Sequence, residues 1–243
     1  MSDACFVAPD VAVPVGGLLR LSGAEGRHAA KVRRVRPGES VLVMDGRGLA
    51  VRGPAEAVGA DFIDIRVAEQ LSTPPRANRW VAVQALAKGG RDELAVEALT
   101  ELGVDEIIAW SAARSVVRWQ GKVEKGLAKW GATAREASKQ ARRFSVPAVS
   151  HATTAQVCQR IAAAAQSVVL HESAPDWLDT AWQVPPGEVV FIIGPEGGIT
   201  PEELDAFQAV GAATRRVASQ VLRTSTAGVV ALAQLQLLAG DQT

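Results

Sequence analysis

The chain has 243 residues, of which 48% are hydrophobic and 21% charged, and its 26 basic and 26 acidic residues leave no net charge. These values are typical of a globular protein with a sizeable core, and they argue against binding of nucleic acid by bulk charge alone. No apolar run reaches the ~18 residues of a membrane span, and the first residues lack the basic start of a secretory signal. Cys5 and Cys158 lack metal-site spacing, and isolated thiols favour the reducing cytoplasm.

Residues 1–71 are predicted to form a small β-rich domain. Glycine and proline turns separate short runs of alternating apolar residues, which is the pattern of short strands. These runs lie at Val11–Val13, Leu18–Leu21, Val41–Val43 and Phe62–Val67.

One basic helix is predicted within this domain. It begins at a capping box formed by Ser22 and Glu25 and ends before Pro37. Residues 20–52 carry eight basic against three acidic residues. Most such faces are merely solvated, but this density in a small domain favours contact with RNA. The predicted RNA-binding residues here are Arg27, His28, Lys31, Arg33, Arg34 and Arg36.

Residues 72–79 are predicted to be a linker, because consecutive prolines favour extended backbone. Residues 80–243 then alternate between strand and helix patterns, which predicts an α/β domain with a parallel sheet. Its strands are predicted at Trp80–Leu86, Val104–Trp110, Gln166–His171, Val189–Ile193 and Thr214–Ala218, with a helix at Asp92–Leu102 capped by Asp92 and ended by Gly103. Ligands of such sheets gather at the carboxyl ends of the strands.

Residues 122–143 are predicted to form an amphipathic helix. Its apolar stripe consists of Val123, Leu127, Trp130, Ala134, Ala137 and Ala141. The basic residues of the segment, Lys139 among them, fall off this stripe and are expected to face outward. Residues 118–143 hold eight basic residues against two acids, which favours RNA contact over a face that only confers solubility.

A glycine-rich loop, Gly194-Pro195-Glu196-Gly197-Gly198, follows the apolar run Glu188–Ile193. It precedes a predicted helix with Thr200 as the N-cap, Pro201 at the first helical position and Glu203 completing a capping box. The loop lacks the lysine and hydroxyl of a phosphate-binding P-loop. Residues 172–205 contain eight acids and no Lys or Arg, which favours a cationic or zwitterionic ligand. A purely structural turn is the alternative.

Together with a second stretch, Val221-Leu222-Arg223-Thr224-Ser225-Thr226-Ala227, this loop resembles the C-terminal signature of the knotted SPOUT methyltransferases. Within them the chain is similar to the RsmE-type 16S ribosomal RNA uracil-N3 methyltransferases. Further stretches that carry the resemblance are His28–Arg34, Gln84–Lys88, Glu101–Val104 and Glu136–Arg143. The resemblance implies a PUA-like RNA-binding β-barrel, a SPOUT domain threaded as a trefoil knot, a homodimer, and a substrate in the small ribosomal subunit.

The resemblance also implies a site for S-adenosylmethionine (SAM) and further RNA contacts. The implied SAM-binding residues are Leu170, His171, Glu172, Ile193, Gly194, Pro195, Glu196, Gly197, Gly198, Val217, Ala218, Ser219, Val221, Leu222, Thr224 and Thr226. The further RNA-binding residues are Lys88, Arg114, Arg118, Arg135, Gln140, Arg142 and Arg143. Three positions depart from the family pattern: Ala4-Cys5 replaces an arginine, Val217-Ala218 replaces Leu-Gly, and Ser225 replaces a glutamate common in the family.

Methylation of uracil N3 requires loss of its proton. Arg223 offers a planar donor fork to a uracil carbonyl that gains negative charge. Glu172 or His171 could accept the proton or orient Arg223, although a lone histidine at a strand end is more often structural. Glu196 is one of the implied SAM-binding residues, but its carboxylate could equally serve to stabilise its own loop. No metal is expected to take part, because no His/Cys cluster is present to bind one.

Two alternative functions stay open from the sequence. The same SAM cradle could serve methylation of another RNA position, such as a ribose 2′-hydroxyl. The chain could also be a non-catalytic RNA-binding protein of ribosome assembly that keeps the fold and not the activity.

Overall fold

The computed structural model describes residues 3–240 and divides the chain into two compact units. The N-terminal unit comprises residues up to 74 together with 138–146, and the C-terminal unit comprises 75–137 together with the residues from 147 onward. The boundary at 74–75 lies inside the proline-containing segment. The return of residues 138–146 to the N-terminal unit has no signal in the sequence, because the helical pattern runs through this segment without a break.

The strands of the N-terminal unit pair in the order β1-β3-β4-β5-β2, and β6 adds to β4. The pairing of β1 with β3 is parallel and the others are antiparallel. The strands are β1 (Ala4–Val7), β2 (Leu18–Leu21), β3 (Ser40–Met44), β4 (Leu49–Val58), β5 (Ile63–Arg66) and β6 (Glu69–Ser72).

The strands predicted at Leu18, Val41 and Phe62 are therefore confirmed to within one or two residues, but the strand at Val11–Val13 is wrong. There, the N–H of Val13 donates to the carbonyl of Val11 at 2.7 Å, so the segment closes a local turn instead of joining the sheet. The pattern missed β4 because Gly53 and Pro54 interrupt it, and β6 because its residues are mainly polar.

The basic helix is shorter than predicted and starts without the expected cap. Helix α1 spans Gly23–Arg27 and continues as a π-helical turn over His28–Val32. The Ser22 side chain makes no capping hydrogen bond. The Glu25 carboxylate instead accepts hydrogen bonds from the Val7 N–H and the Lys139 ammonium, both at 3.4 Å. The predicted capping box is wrong because this carboxylate is committed to tertiary contacts.

In the C-terminal unit the strands pair in the order β12-β10-β11-β7-β8-β9, and within residues 3–240 every neighbouring pair is parallel. The predicted α/β fold with a parallel sheet is thereby confirmed. The strands are β7 (Asn78–Ala85), β8 (Glu106–Trp110), β9 (Ala148–Ala152), β10 (Gln166–Leu170), β11 (Gly187–Ile193) and β12 (Ala213–Arg215). The helices are α2 (Arg91–Glu101), α3 (Val123–Ala141), α4 (Thr154–Ala163), α5 (Pro201–Ala209) and α6 (Thr224–Ala239).

Three details of these elements differ from the predictions, and the third lies in the end of α3 that belongs to the N-terminal unit. The N-cap of α2 is Gly90, and the Asp92 carboxylate accepts from the N–H of Glu93, so the predicted Asp92 cap is wrong. Strand β12 stops at Arg215, three residues early. Lys139 near the end of α3 is buried rather than outward-facing, because its ammonium binds the Glu25 carboxylate.

The strand order indicates where along the sheet a ligand is expected to bind. The first three strands, β7, β8 and β9, form one half of the sheet in chain order, and the chain then crosses over to form the other half from β10, β11 and β12. Strands β7 and β11 are therefore neighbours at the point where the strand order reverses. In open α/β sheets, ligands bind in the crevice beyond the strand ends at this point.

Candidate functional site

A cavity of about 420 Å³ lies at the carboxyl ends of β10, β11 and β12. Its size falls in the range of roughly 300–1,000 Å³ that is usual for small-molecule sites. Thirteen of the residues predicted to bind SAM line it: Leu170, His171, Glu172, Ile193, Gly194, Pro195, Glu196, Gly198, Val217, Ala218, Val221, Leu222 and Thr224. Gly197, Ser219 and Thr226 belong to the same segments but do not line the cavity.

The glycine loop after β11 is a tight turn held at both ends. The N–H of Gly198 donates to the carbonyl of Pro195 at 2.9 Å, and Gly198 has a left-handed backbone with a φ of 76°. A Cβ on Gly194 would lie 2.8 Å from Cγ1 of Ile199, so this position has no room for a side chain. Thr200 and Glu203 then form the predicted capping box of α5, which is confirmed.

Thr224 joins the two signature loops. Its buried hydroxyl donates to the carbonyl of Gly194 at 2.9 Å and accepts from the side-chain amide of Gln84 at 2.8 Å. The end of β7, the end of β11 and the start of α6 therefore meet at one hydroxyl group. A buried polar group is costly to leave without a partner, so these two hydrogen bonds hold the second loop against the first.

We expect Thr224→Val to destabilise the C-terminal unit, because the Gly194 carbonyl loses its donor and Gln84 loses an acceptor. Each buried polar group left without a partner typically costs about 1–3 kcal/mol. Urea unfolding of the wild type and the variant measures the change. The matched control is Thr226→Val, on the exposed side of the same helical turn, for which about 0.5 kcal/mol or less is expected. Equal losses in the two variants would contradict the joining role of Thr224.

Arginines make the cavity less acidic than the sequence indicates. Glu172 and Glu196 line it, but so do Arg91, Arg216 and Arg223. The acidic composition of residues 172–205 therefore overstates the negative charge of the cavity, because several of these carboxylates form ion pairs or hydrogen bonds away from it. Glu188, for example, pairs with Arg79 and Arg160.

Glu196 braces its own loop. Its carboxylate accepts from the N–H of Lys88 at 3.3 Å and from the guanidinium of Arg91 at 3.4 Å. Of the two roles open for Glu196 in the sequence, these contacts support loop stabilisation. They also explain why Arg91, which the sequence reasoning missed, reaches the cavity.

Arg223 and Glu172 are both exposed side chains at the cavity wall. Arg223 is the N-cap residue of α6, and its carbonyl accepts from the N–H groups of Thr226 and Ala227. Within residues 3–240 neither side chain has a recorded hydrogen-bond or ion-pair partner, so the two do not pair with each other. The backbone of Arg223 is fixed while its guanidinium is available to a ligand.

His171 has a structural role in its turn. The ring atom Nδ1 accepts from the backbone N–H of Ser173 at 3.2 Å, and the backbone N–H of His171 donates to the carbonyl of Arg215 at 3.0 Å. The lone pair of Nδ1 is therefore engaged within the turn.

Family models match both units of the chain. A PUA domain of RNA methyltransferases matches residues 21–67, and an RNA methyltransferase domain matches residues 74–236. The ribosomal RNA small subunit methyltransferase E of Mycobacterium bovis is 41% identical over 235 residues, which cover 94% of this chain and 90% of that protein. The chain belongs to this methyltransferase E family. Its Bacillus subtilis member is 29% identical over 91% of the chain and 92% of that protein.

Solved structures of relatives share the whole fold. Methyltransferase E from Neisseria gonorrhoeae, solved with bound SAM, superposes with a TM-score of 0.87 at 26% identity and covers 100% of both chains. A methyltransferase from Legionella pneumophila with bound SAM gives a TM-score of 0.86 at 28% identity, covering 98% of this chain and 99% of that one. The α/β SPOUT fold with an N-terminal PUA domain is thus confirmed.

The residues predicted to contact RNA fall in both units of this family member. In the N-terminal unit, His28 is half-buried against the ring of Phe6 and Arg143 is half-buried with its guanidinium 3.4 Å from the Ser145 hydroxyl. The exposed ones of that unit are Arg27, Lys31, Arg33, Arg34, Arg36, Gln140 and Arg142. In the C-terminal unit Lys88, Arg114 and Arg118 are exposed and Arg135 is half-buried.

Five cavity residues were missed by the sequence reasoning: Arg91, Ile199, Arg216, Gln220 and Ala227. Ile199, Gln220 and Ala227 are in or next to the two signatures, so their positions were a usable signal. Among residues 3–240 no group of three or more metal-ligating side chains comes together, and no helix is both long and apolar enough to span a bilayer.

Proposed function

We propose that this family member transfers a methyl group from SAM to N3 of a uridine in the 16S rRNA of the small ribosomal subunit. The observation that carries the proposal is the convergence of both signature loops on one cavity, with the available guanidinium of Arg223 at its wall. The ribosomal substrate would place the protein in the cytoplasm.

The cavity wall fits the chemistry of SAM. Apolar side chains of Leu170, Ile193, Ile199 and Leu222 offer a surface for the adenine ring and the aliphatic carbons of SAM, and the glycine loop offers backbone polar groups. Arg216 also lines the wall, and its buried Nε atom has no hydrogen-bond partner within residues 3–240. When bound, SAM would supply an electrophilic methyl group, and the wall residues would hold it in line with the acceptor.

Arg223 would stabilise the uracil. As the N3 proton leaves, negative charge spreads onto the neighbouring carbonyl oxygens, and a guanidinium can donate two parallel hydrogen bonds to such a group. Because the guanidinium has no competing partner within residues 3–240, it need not break a contact to reach the substrate.

Glu172 would take the N3 proton. It is an exposed carboxylate at the cavity wall, whereas Nδ1 of His171 is occupied by the N–H of Ser173. A carboxylate can accept a proton directly, and a planar arginine nearby would favour the anion that remains.

Transfer of label from methyl-labelled SAM to small subunits that lack the modification tests this proposal. We expect incorporation with the wild type and nearly none with Arg223→Ala. SAM binding without any transfer, to subunits or to naked 16S rRNA, would favour the non-catalytic assembly protein. Methylation of a ribose hydroxyl is the less favoured enzymatic alternative, because a planar donor fork suits a uracil anion better than an alcohol.

The N-terminal unit would contact the rRNA through its exposed basic side chains. Arg34 and Arg142 also have left-handed backbone conformations, with φ of 52° and 53°. Such conformations are uncommon for arginine and concentrate at functional positions.

Reversing two of these charges, in Arg33→Glu/Arg36→Glu, should weaken RNA binding and leave SAM affinity unchanged. The slope of log K against log salt should also flatten, by about 0.7 for each lost phosphate contact to a single strand. Titration of rRNA fragments at several salt concentrations measures both. Arg66→Glu is the control, since Arg66 is a half-buried arginine of the same unit that already pairs with Glu56. If the double variant behaves like this control, the N-terminal unit does not bind RNA through this surface.

The homodimer and the trefoil knot implied by the family stay predictions. Light scattering during size-exclusion chromatography tests the first: a mass of two chains is expected, and a single-chain mass would contradict it.

A further inference from the structure

We infer that Arg216 binds the carboxylate of SAM and thereby makes the cavity selective for a ligand with an intact amino-acid tail. The inference rests on the proposed function, because it assigns one end of the proposed cofactor. Arg216 precedes the second signature and was not among the residues predicted to bind SAM.

The backbone of Arg216 is clamped on both sides. Its N–H donates to the carbonyl of Asp176 at 2.9 Å, and its carbonyl accepts from the N–H of Leu178 at 2.9 Å. The segment between β10 and β11 is thereby fixed to the end of β12. Arg216 is held in place before any ligand arrives.

The side chain of Arg216 is also held, but its hydrogen bonding is incomplete. The guanidinium carbon lies 4.2 Å from the centre of the Trp177 ring, in a cation–π contact. No hydrogen bond or ion pair of this side chain is recorded within residues 3–240, and its Nε atom is buried. A buried donor without a partner is unfavourable and calls for an explanation, and a ligand that supplies an acceptor provides one.

The other two arginines that line the cavity are less suited to bind the carboxylate of SAM. Arg91 is bound to the Glu196 carboxylate, and Arg223 is exposed at the N-terminus of α6. SAM has one anionic group, and a guanidinium binds a carboxylate with two parallel hydrogen bonds.

The test compares SAM with decarboxylated SAM, which lacks only the carboxylate, by isothermal titration calorimetry. We expect the wild type to prefer SAM. Arg216→Gln should weaken SAM binding by about 10- to 100-fold, the usual range for one charge-assisted contact, without weakening decarboxylated SAM. Arg215→Gln is the matched control: Arg215 also stacks on a tryptophan, Trp182, but pairs with Asp176 and does not line the cavity.

Trp177 should act as a positioning residue for Arg216. Trp177→Ala should reduce the preference for SAM, and Trp177→Phe should restore part of it because a phenyl ring keeps a face for the guanidinium. If Trp177→Ala weakens both ligands equally, its role is structural only.

The outcomes separate this inference from the proposed function. If the wild type binds neither ligand, the proposed function fails. If the wild type binds SAM but Arg216→Gln keeps the full preference for it, the assignment of Arg216 is overturned. A loss of RNA affinity in Arg216→Gln with SAM selectivity unchanged would overturn it in favour of a phosphate contact.

Discussion

Arg223→Ala is expected to lower the single-turnover rate of methyl transfer by about 10²–10³, the usual cost of removing a donor that stabilises developing charge. SAM affinity should stay unchanged, because the Arg223 guanidinium has no hydrogen-bond or ion-pair partner within residues 3–240 whose loss would disturb the cavity. RNA affinity should fall much less than the rate, since the uracil carries little negative charge before its proton leaves. Rapid-quench measurements with saturating enzyme give the rate, and calorimetry gives the SAM affinity.

Arg223→Lys serves as the charge-matched variant. It should recover little of the rate, because an ammonium keeps the charge but lacks the planar pair of donors. A fall in SAM affinity as large as the fall in rate would show that Arg223 supports the cavity and does not act on the substrate.

Gly194→Val is expected to abolish SAM binding. Even a single Cβ at this position would lie 2.8 Å from Cγ1 of Ile199, and both residues line the cavity. A β-branched side chain would have to displace Ile199 or enter the ligand space, and either change alters the wall that receives the cofactor. Calorimetry with SAM measures the effect, and circular dichroism checks that the variant is folded.

Gly131→Val provides the matched control for this variant. Gly131 lies in α3, and a Cβ there would meet no atom within 4 Å. This control should bind SAM like the wild type. A folded Gly194→Val protein with wild-type SAM affinity would show that the cofactor does not occupy this cavity.

The most local features of the site were the most predictable. The strand β11, the glycine turn and the capping box of α5 follow one another in a single stretch, and each has its own sequence signal. The rule that ligands gather at the carboxyl ends of parallel strands then brings three distant segments together. Family resemblance supplied the identity of the ligand, which these signals alone leave open.

Features that depend on long-range contacts were not predictable. The helical periodicity places Lys139 on a polar face, yet it is buried because its ammonium binds Glu25. Glu25 is more than a hundred residues away in the chain, so the pattern of the helix gives no sign of this pair. Arg91 lines the cavity, where its guanidinium is bound by the Glu196 carboxylate from a distant part of the chain. The periodicity of a sequence describes one helix or strand at a time, so it does not predict an ion pair with a residue of a second element.

Identification of the methylated nucleoside tests the central claim most directly. Small subunits lacking the modification would be incubated with the protein and methyl-labelled SAM, and the 16S rRNA would then be digested to nucleosides and separated by chromatography with mass spectrometry. We expect the label in 3-methyluridine. Label in a ribose-methylated nucleoside, or in any base other than uracil, would contradict it.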